Sequence, residues 1–352
     1  MTPPRVSIIT PACNHGRFIK AAIRSAQAQD LDAWEMWVID DASTDGTAAA
    51  VAGFAAGDPR VRLLRHDENW GMSRLADTYN QALERSRGEW IAILEGDDAW
   101  PPGKLGRQLA QLEGAPDVVL GFGRAQLISP EGAPLGETLA GLPGGFHRYF
   151  NDFRGPLLEP LLLRPCFIHP VTVLIRRPAL ERIGGFRSFP GLGLTDHPTF
   201  LELAELGPFL GSSAVLGLYR RHRDSQSLNR LVELTRGERR LAFARLDGRP
   251  ASAALRTLRR RMERSWSQEE TRALLTEGRL RLLRRQRRDA RSSFRSSLKT
   301  AFGTSFPSLR RLALGLAALG TLCASFLPFN LERVAGWARG RRASLLERGE
   351  GK

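Results

Sequence analysis

Cysteine is scarce in this chain of 352 residues, and its placement excludes two kinds of site. The three cysteines, Cys13, Cys166 and Cys323, stand far apart, without a C-x-x-C pair or a Cys/His spacing. Neither a disulfide framework nor a zinc site is therefore indicated, and a reducing compartment is expected. The amino terminus also lacks a basic flank followed by an apolar run. No secretory signal is predicted, and the protein is expected in the cytoplasm.

Lysine is also rare, and the positive charge is confined to one end of the chain. Only four of the 52 basic residues are lysine, and the net formal charge is +15. Residues 1–219 carry 25 acidic against 20 basic side chains, whereas residues 220–300 carry nine against 24. This excess indicates either a GC-rich genome without a binding role, or a surface for anionic lipid headgroups or a lipid-diphosphate acceptor. Nucleic-acid binding is not expected, since no recognised module or aromatic interleaving accompanies the arginines.

Short apolar runs alternate with segments of helical spacing in the first hundred residues. The predicted strands are Val6–Thr10, Trp34–Asp40, Val61–Arg65 and Trp90–Leu94. This alternation predicts an α/β fold with a parallel, doubly wound sheet. Because the carboxyl ends of such strands meet at one edge, the polar clusters after Thr10, Asp40 and Leu94 are expected to line one cleft.

The remainder of the chain is less regular. Residues 115–225 contain two predicted strands, Val118–Phe122 and Thr172–Ile175, and a helix, Phe200–Leu206, and we expect this segment to bind an acceptor. Residues 230–300 have the pattern of arginine-rich amphipathic helices. We therefore predict three parts: a catalytic domain at 1–225, a basic helical extension at 226–304 and an apolar tail at 305–352.

An acidic turn follows the fourth predicted strand. Glu95-Gly96-Asp97-Asp98 places three carboxylates within four residues. Carboxylate oxygens suit Mg²⁺ or Mn²⁺. Such a turn can also be an ordinary solvated loop, because Asp and Gly are common turn residues.

The order of motifs around this turn is more specific than the turn itself. The segments are Val6–Asn14, Val38–Thr47, Asn69–Gly71 with Asn80, and Gly88–Asp98. Over about residues 5–225 the chain resembles the family 2 glycosyltransferases. The resemblance implies a GT-A fold, a nucleotide-sugar donor, a divalent metal (Mn²⁺ or Mg²⁺) and, usually, inversion at the anomeric carbon.

The resemblance also implies roles for residues on the donor side. Pro11 and Cys13 fall where the first loop lines the nucleobase, Asp41 where a carboxylate accepts a hydrogen bond from the base, and Arg74 near the pyrophosphate. Cys13 departs from the tyrosine common at its position, so stacking on the base is not implied. A solvent-exposed helix arginine is the alternative for Arg74.

The acidic turn matches the metal motif of the family at two positions. Asp97 and Asp98 are the implied metal and diphosphate pair, and Asp97 also contacts the donor. Glu95 stands where aspartate is frequent, and is expected to contact the donor sugar or the metal. His222, in the segment Tyr219–Ser225, is the third candidate metal ligand; a solvated histidine is its alternative.

A general base would remove the proton of the acceptor hydroxyl. Asp196 follows Gly184-Gly185-Phe186 much as the acidic position follows a Gly-Gly-Phe segment in the family, so Asp196 is the implied base. Its neighbour His197 could tune or replace it. Alternatively, Asp196 only caps the helix that contains Phe200–Leu206.

Two absences narrow the function. The Gln-x-x-Arg-Trp pattern of processive members is missing, so a single transfer per encounter is expected. A nucleotidyltransferase would open with a glycine-rich, basic phosphate loop, which Thr10–Gly16 lacks. A catalytically silent nucleotide-sugar-binding scaffold remains an alternative because of Glu95 and Cys13.

The tail contains a run of uncharged residues. Leu312–Leu331 meets the length of a membrane span, but its glycines, proline and polar residues leave three alternatives open: a spanning helix, docking on the membrane surface, or packing within the protein. The first two would associate the enzyme with an anionic membrane, at the cytoplasmic face of the inner membrane. The acceptor is then expected to be a saccharide or a lipid-linked saccharide.

Overall fold

The computed structural model of the chain describes residues 3–138, 144–223, 225, 229–284, 286–302 and 309–324. Its contacts divide the chain into two compact units. The first contains residues 1–229 and 237–250, and the second contains residues 230–236 and 251–352. The boundaries predicted at residues 225 and 304 stay predictions.

Within the described residues, the first unit contains nine strands. They are β1 (Val6–Ala12), β2 (Trp34–Asp40), β3 (Val61–Arg65), β4 (Trp90–Ile93), β5 (Leu120–Ile128), β6 (Pro134–Glu137), β7 (Phe153–Gly155), β8 (Leu174–Arg176) and β9 (Phe209–Arg220). Its helices are α1 (Ile19–Gln27), α2 (Thr47–Gly57), α3 (Leu75–Arg85), α4 (Lys104–Glu113), α5 (Leu158–Leu162), α6 (Arg177–Arg182) and α7 (Asp196–Leu206). Helix α8 (Leu231–Ala244) contributes residues to both units.

The sheet is mixed but mostly parallel. Its order is β3-β2-β1-β4-β8-β5-β9-β7, with β6 paired to β5. The run β3-β2-β1-β4 is parallel, as is the pair β5 and β9. The exception within the central part of the sheet is β8, which pairs antiparallel with both β4 and β5. The α/β fold with a doubly wound, mostly parallel sheet is confirmed.

Three details of the second half differ from the sequence-based predictions. Thr172 lies in a 3-10 turn, and the strand predicted at Thr172–Ile175 is Leu174–Arg176. The strand predicted at Val118–Phe122 begins at Leu120 and runs to Ile128. Strand β9 was not predicted, because glycines and serines interrupt its apolar alternation at Gly211, Ser212 and Gly217.

The opening strand and helix show why this sequence forms the core. Apolar residues of α1 recur at helical spacing, and four of them are completely buried: Ile19, Ala22, Ile23 and Ala26. They pack against the side of β1 that carries Val6 and Ile8. Burying each large aliphatic side chain contributes about 1.5–3 kcal/mol, so these contacts hold α1 on β1, which lies between β2 and β4.

The second unit is helical, as the pattern of residues 230–300 predicted. It contains α9 (Ala253–Leu283), α10 (Arg287–Phe302) and α11 (Leu309–Ala324). A small core holds Leu275, Ala290, Phe294 and Ala318 together. Over the stretches of chain that the structure describes, no helix combines the length and the apolar character that crossing a membrane requires. Residues 325–331 of the predicted apolar segment lie outside the described residues.

Candidate active site

Backbone hydrogen bonds join three strand ends at the carboxyl edge of the sheet. The N–H of Asp41 donates to the carbonyl of Ala12 at 2.8 Å, and the N–H of Gly96 donates to that of Pro11 at 3.1 Å. The polar residues that follow β1, β2 and β4 therefore lie at one edge, as predicted from the strand pattern.

Asp41 organises the loop that follows β3. Its carboxylate accepts hydrogen bonds from the N–H groups of Trp70 (2.8 Å) and Gly71 (2.9 Å) and lies 2.8 Å from Nδ1 of His66. Burial raises the pKa of Asp41, but these hydrogen bonds outweigh it and hold the pKa below its usual value. Asp41 is thus an ionised anchor for Trp70 and Gly71 in this structure.

The predicted nucleobase and pyrophosphate residues lie around the same loop. Cys13 is partly exposed, and the Asn69 amide donates both to its Sγ (3.2 Å) and to the carbonyl of Asp41 (2.9 Å). The guanidinium of Arg74 lies 3.7 Å from the centre of the Trp70 ring. Cys13 and Arg74 therefore both contact residues that Asp41 positions.

Sequence reasoning did not assign a role to the aromatic stack at this edge. Trp70 stacks on His66 with ring centroids 3.8 Å apart. The guanidinium of Arg74 also lies over the indole ring of Trp70. Arg74 remains exposed and also meets Asp77 at 3.3 Å. The Asn69-Trp70-Gly71 motif marked Trp70 in the sequence, but only the fold shows that His66 packs against it.

Glu95 has unusual electrostatics for a carboxyl group. Burial, followed by the charges of Asp97 and Asp196, raises its pKa to about 8. The Tyr79 hydroxyl donates to Glu95 Oε1 at 3.2 Å. Glu95 is therefore mostly protonated at neutral pH in the absence of a cation, so it can donate a hydrogen bond.

Asp97 is paired with His222, which lies two residues beyond the end of β9. Its Oδ2 lies 3.0 Å from Nε2 of His222. Burial would raise the pKa of Asp97, but the hydrogen bond with His222 and the nearby His15 lower it overall. The structure thus brings together two predicted metal ligands that have 124 residues between them in the chain.

Asp98 lies behind this pair and is fully buried. Its Oδ1 accepts the N–H of Arg220 at 2.8 Å, while the Arg220 side chain donates to the carbonyl of Asp97 at 2.7 Å. Burial, with the charges of Asp97 and Glu95, raises the pKa of Asp98 well above its usual value. Arg220, which sequence reasoning did not single out, thus ties β9 to the acidic turn.

No group of three or more His, Cys, Asp or Glu side chains that could hold a metal occurs in the part of the chain that the structure describes. Asp97 and His222 nevertheless place an oxygen and a nitrogen of the kinds that suit Mn²⁺ 3.0 Å apart. Cations at phosphate sites are commonly held by one or two protein groups together with phosphate oxygens. The pair therefore fits a cation whose remaining ligands would come from a bound diphosphate.

Asp196 opens helix α7 without capping it. Thr195 occupies the N-cap position, and no side-chain cap hydrogen bond is formed. Asp196 Oδ1 is buried and has no hydrogen-bond partner among the described residues. Burial and the charge of Glu238 raise the pKa of Asp196 to about 6. A carboxyl group with these properties can accept a proton near neutral pH.

The Gly-Gly-Phe turn that precedes Asp196 is clamped by one side chain. Asn80 Oδ1 accepts the N–H of Phe186 at 2.7 Å, and Asn80 Nδ2 donates to the Phe186 carbonyl at 3.0 Å. The Phe186 ring also contacts Tyr79, which reaches Glu95. The Gly-Gly-Phe turn and the acidic turn are thus linked through the Asn80 and Tyr79 side chains.

A mostly parallel sheet whose carboxyl edge carries an acidic turn and a converging carboxylate is the architecture of a GT-A fold. The family model for "Glycosyl transferase family 2" matches residues 7–184. The chain belongs to this family.

Several curated relatives are named as bacterial glycosyltransferases. The "Putative teichuronic acid biosynthesis glycosyltransferase TuaG" of Bacillus subtilis is 35% identical over 38% of this chain and 51% of its own length. The "UDP-Glc:alpha-D-GlcNAc-diphosphoundecaprenol beta-1,3-glucosyltransferase WfgD" of Escherichia coli is 28% identical over 66% of this chain and 83% of its own. The chain therefore spans only about half of the first of these relatives.

Solved structures share the fold. The mannosyltransferase PcManGT of Pyrobaculum calidifontis, in complex with GDP-Man and Mn²⁺, has a TM-score of 0.58 at 23% identity and covers 93% of this chain and 82% of its own. S. aureus TarS residues 1–349, in complex with UDP-GlcNAc, has a TM-score of 0.53 at 15% identity and covers 92% and 89%. At these identities the likeness is one of fold.

Proposed function

We propose that this enzyme transfers a sugar from a nucleotide-diphosphate sugar to a hydroxyl group of a saccharide or lipid-linked saccharide, with inversion and without processivity. The observation that carries the proposal is the convergence of Asp97, His222, Glu95 and Asp196 from three separate parts of the chain. Their charges influence one another across a single cleft edge. That arrangement contains candidate cation ligands, Asp97 and His222, and a candidate proton acceptor, Asp196.

The donor side is formed by the loops after β1, β2 and β3. Cys13 and Asn69 offer a partly exposed edge for a nucleobase, and Pro11 supports it through its bond to Gly96. Asp41 acts by fixing Trp70 and Gly71, and any hydrogen bond to a base would be additional to these. Arg74 would meet the diphosphate only by leaving its contact with Asp77.

Asp97 and His222 would hold a divalent cation, Mn²⁺ or Mg²⁺. Such a cation, when bound, offsets the negative charge that develops on the leaving diphosphate. Asp98 is buried and bonded to Arg220, so we assign it the role of supporting the turn instead of the role of ligand. Glu95, largely protonated, would donate a hydrogen bond to an oxygen of the donor sugar.

Asp196 would take the proton of the acceptor hydroxyl as that oxygen attacks the anomeric carbon. A direct attack opposite the departing diphosphate inverts the configuration at that carbon. His197 is completely buried, and both of its ring nitrogens are bonded within the protein. It therefore supports Asp196 and does not replace it.

The acceptor is proposed from the relatives. WfgD acts on a sugar linked to diphosphoundecaprenol, and TuaG belongs to teichuronic acid biosynthesis. A saccharide on a lipid diphosphate is the corresponding acceptor class for this chain, at the cytoplasmic face of the inner membrane.

Release of nucleoside diphosphate tests the activity. Wild type would be incubated with UDP-glucose, UDP-N-acetylglucosamine and GDP-mannose, with Mn²⁺, Mg²⁺ or EDTA. We expect cation-dependent release from one donor, reduced at least about 100-fold in Asp97→Asn because a ligand is lost. Asp98→Asn keeps the shape of a buried carboxyl whose pKa is raised, so it should retain more activity than Asp97→Asn.

The reverse order of the two variants would restore Asp98 as the principal ligand. Donor binding measured by calorimetry, without turnover of any donor, would favour the alternative of a silent scaffold.

A further inference from the structure

A buried charged cluster lies directly behind Asp196. His197 is completely buried, with Nδ1 2.9 Å from Glu238 Oε1 and Nε2 3.1 Å from the carbonyl oxygen of Leu161. The same Glu238 oxygen accepts the N–H of Cys166 at 2.8 Å. Glu238, on α8, is therefore bonded to the residue that follows Asp196 and to the loop after α5.

The partners of His197 determine its charge. A backbone carbonyl can only accept a hydrogen bond, and an ionised carboxylate can only accept as well. Both ring nitrogens must then carry protons, which makes His197 an imidazolium. Burial lowers the pKa of His197, but the hydrogen bond and charge of Glu238 outweigh it and raise the pKa overall.

Resting on the proposed role of Asp196, we propose that Glu238 is a positioning residue. Through His197 it holds the first turn of α7 and sets the charge behind the base. Glu238 is also two residues past the junction at which α8 passes from the second unit to the first. No sequence motif marks it, since an isolated glutamate in an arginine-rich helix has the pattern of a solvated residue.

Several groups act on Asp196, and Glu238 is the strongest charge among them. Glu238 raises the pKa of Asp196, whereas the His197 backbone and charge lower it. Asp196 in turn acts on the charged and titratable groups that neighbour it on other elements: Glu95, Tyr79 and Cys166. Removal of either Glu238 or His197 should therefore move the titration of Asp196, but in opposite directions.

The experiment measures the pH dependence of nucleoside-diphosphate release from the fastest of the three donors named above. The acid limb of wild type should lie near pH 6, where Asp196 loses its proton. Glu238→Gln removes a negative charge. His197 then loses its proton as well, but Glu238 is the stronger charge on Asp196, so the limb should still shift to lower pH. His197→Gln removes a positive charge and should shift it to higher pH.

Two further variants separate charge from position. Glu238→Asp keeps the charge but shortens the side chain, so it should lower kcat while leaving the limb in place. Glu205→Gln, on the exposed end of α7, removes a carboxylate that is paired with Arg249. It should change neither the rate nor the limb.

A second readout does not depend on turnover. In ¹⁵N-histidine NMR at pH 6.5, the ring of His197, assigned through His197→Gln, should be mostly doubly protonated. It should become neutral in Glu238→Gln. A neutral His197 in wild type, or unshifted limbs in both neutral variants, would overturn the inference.

The proposed function fails separately. If Asp196→Asn releases nucleoside diphosphate at the wild-type rate, Asp196 is not the base, and the positioning role falls with it. If Asp196→Asn is inactive while Glu238→Gln and His197→Gln leave the limb unmoved, only the role of Glu238 is lost.

Discussion

At the scale of single residues, the three carboxyl groups of the acidic turn lie in different environments and have different pKa shifts. The pair with His222 lowers the pKa of Asp97, whereas burial and like charges raise the pKa of Glu95 to about 8 and that of Asp98 well above its usual value. Three identical charges within four residues would repel one another strongly. The different pKa shifts relieve that repulsion before any cation binds.

Glu95 should make the cation-free protein less stable as the pH rises. Its pKa is about 8 in the folded chain, against about 4.5 for an exposed glutamate. The folded state thus binds the proton more tightly, and this contribution to stability is lost between these two values as the pH increases. Glu95→Gln should remove that dependence, so the variant should gain about 1–3 kcal/mol relative to wild type at pH 8 compared with pH 5.

Urea unfolding in EDTA at both pH values measures this difference. An equal difference between the variant and wild type at pH 5 and pH 8 would show that Glu95 titrates normally. Glu89→Gln, which neutralises an exposed glutamate at the edge of β4, is the control for the charge change alone.

The hydrogen-bond partners of single site residues were the least predictable feature of the sequence. The motifs identified Asp97, Asp98, His222 and Asp196, but they could not show that Asp98 is tied to Arg220 or that Asp41 is occupied by Trp70 and Gly71. Hydrogen bonds of this kind depend on loop conformations, which the residue types alone do not determine. The roles of these residues stay predictions until the variants above are measured.

At the scale of elements, the clamp between α3 and the Gly-Gly-Phe turn fixes the segment that leads to Asp196. Gly184 and Gly185 both have positive φ values, of +80° and +87°. A Cβ on Gly185 would collide with Asn80 Oδ1, whereas one on Gly184 would meet only the flexible end of Arg187, at 3.4 Å. The two glycines therefore share a backbone requirement but differ in their surroundings.

Alanine at these two positions should separate the two effects. Gly184→Ala should cost about 1 kcal/mol for the backbone conformation. Gly185→Ala should cost roughly 1–3 kcal/mol more, because the Asn80 hydrogen bonds to Phe186 are lost as well. Thermal unfolding compares the two variants, and equal losses would mean that the clamp adds nothing to stability.

Elements with strong apolar patterns were predictable, and those with weak patterns were not. β1, β2, β3 and β4 are short, apolar and bounded by turn residues, so their positions followed from the sequence. β9 carries glycine and serine at positions that pack closely against neighbours, including Gly211 beside the Tyr149 carbonyl. Its tertiary contacts, and not its local pattern, make it a strand.

At the scale of the whole molecule, we predict that the basic second unit docks on an anionic membrane. Three large apolar side chains are exposed among the described residues: Leu135 (56%), Leu316 (58%) and Leu319 (46%). Two of the three lie on α11, whose other face packs through Ala318 into the small helical core. In this prediction, the arginine excess of residues 220–300 would supply the charge that attracts such a helix to anionic lipid.

Vesicle sedimentation of the full chain tests this partner. Binding to phosphatidylglycerol vesicles should exceed binding to phosphatidylcholine vesicles and should weaken at high salt, where surface charges are screened. Leu316→Glu with Leu319→Glu should reduce binding several-fold, because apolar burial and charge attraction are both weakened. Leu135→Glu, which places the same charge on β6, should not.

Binding that is insensitive to the α11 variants would assign docking to the arginines alone or to residues 325–352. Absence of binding to either vesicle would leave the arginine content without a membrane role.

The chain order of the cleft has a consequence for dissecting the enzyme. Residues 7–184, which match the family model, contain the nucleotide side and the acidic turn. Asp196, Arg220, His222 and Glu238 all come later, and β9 must insert beside β5 to bring two of them to the turn. A fragment that ends at residue 184 would thus retain the recognisable sequence of a glycosyltransferase while lacking the proposed base and half of the proposed cation site.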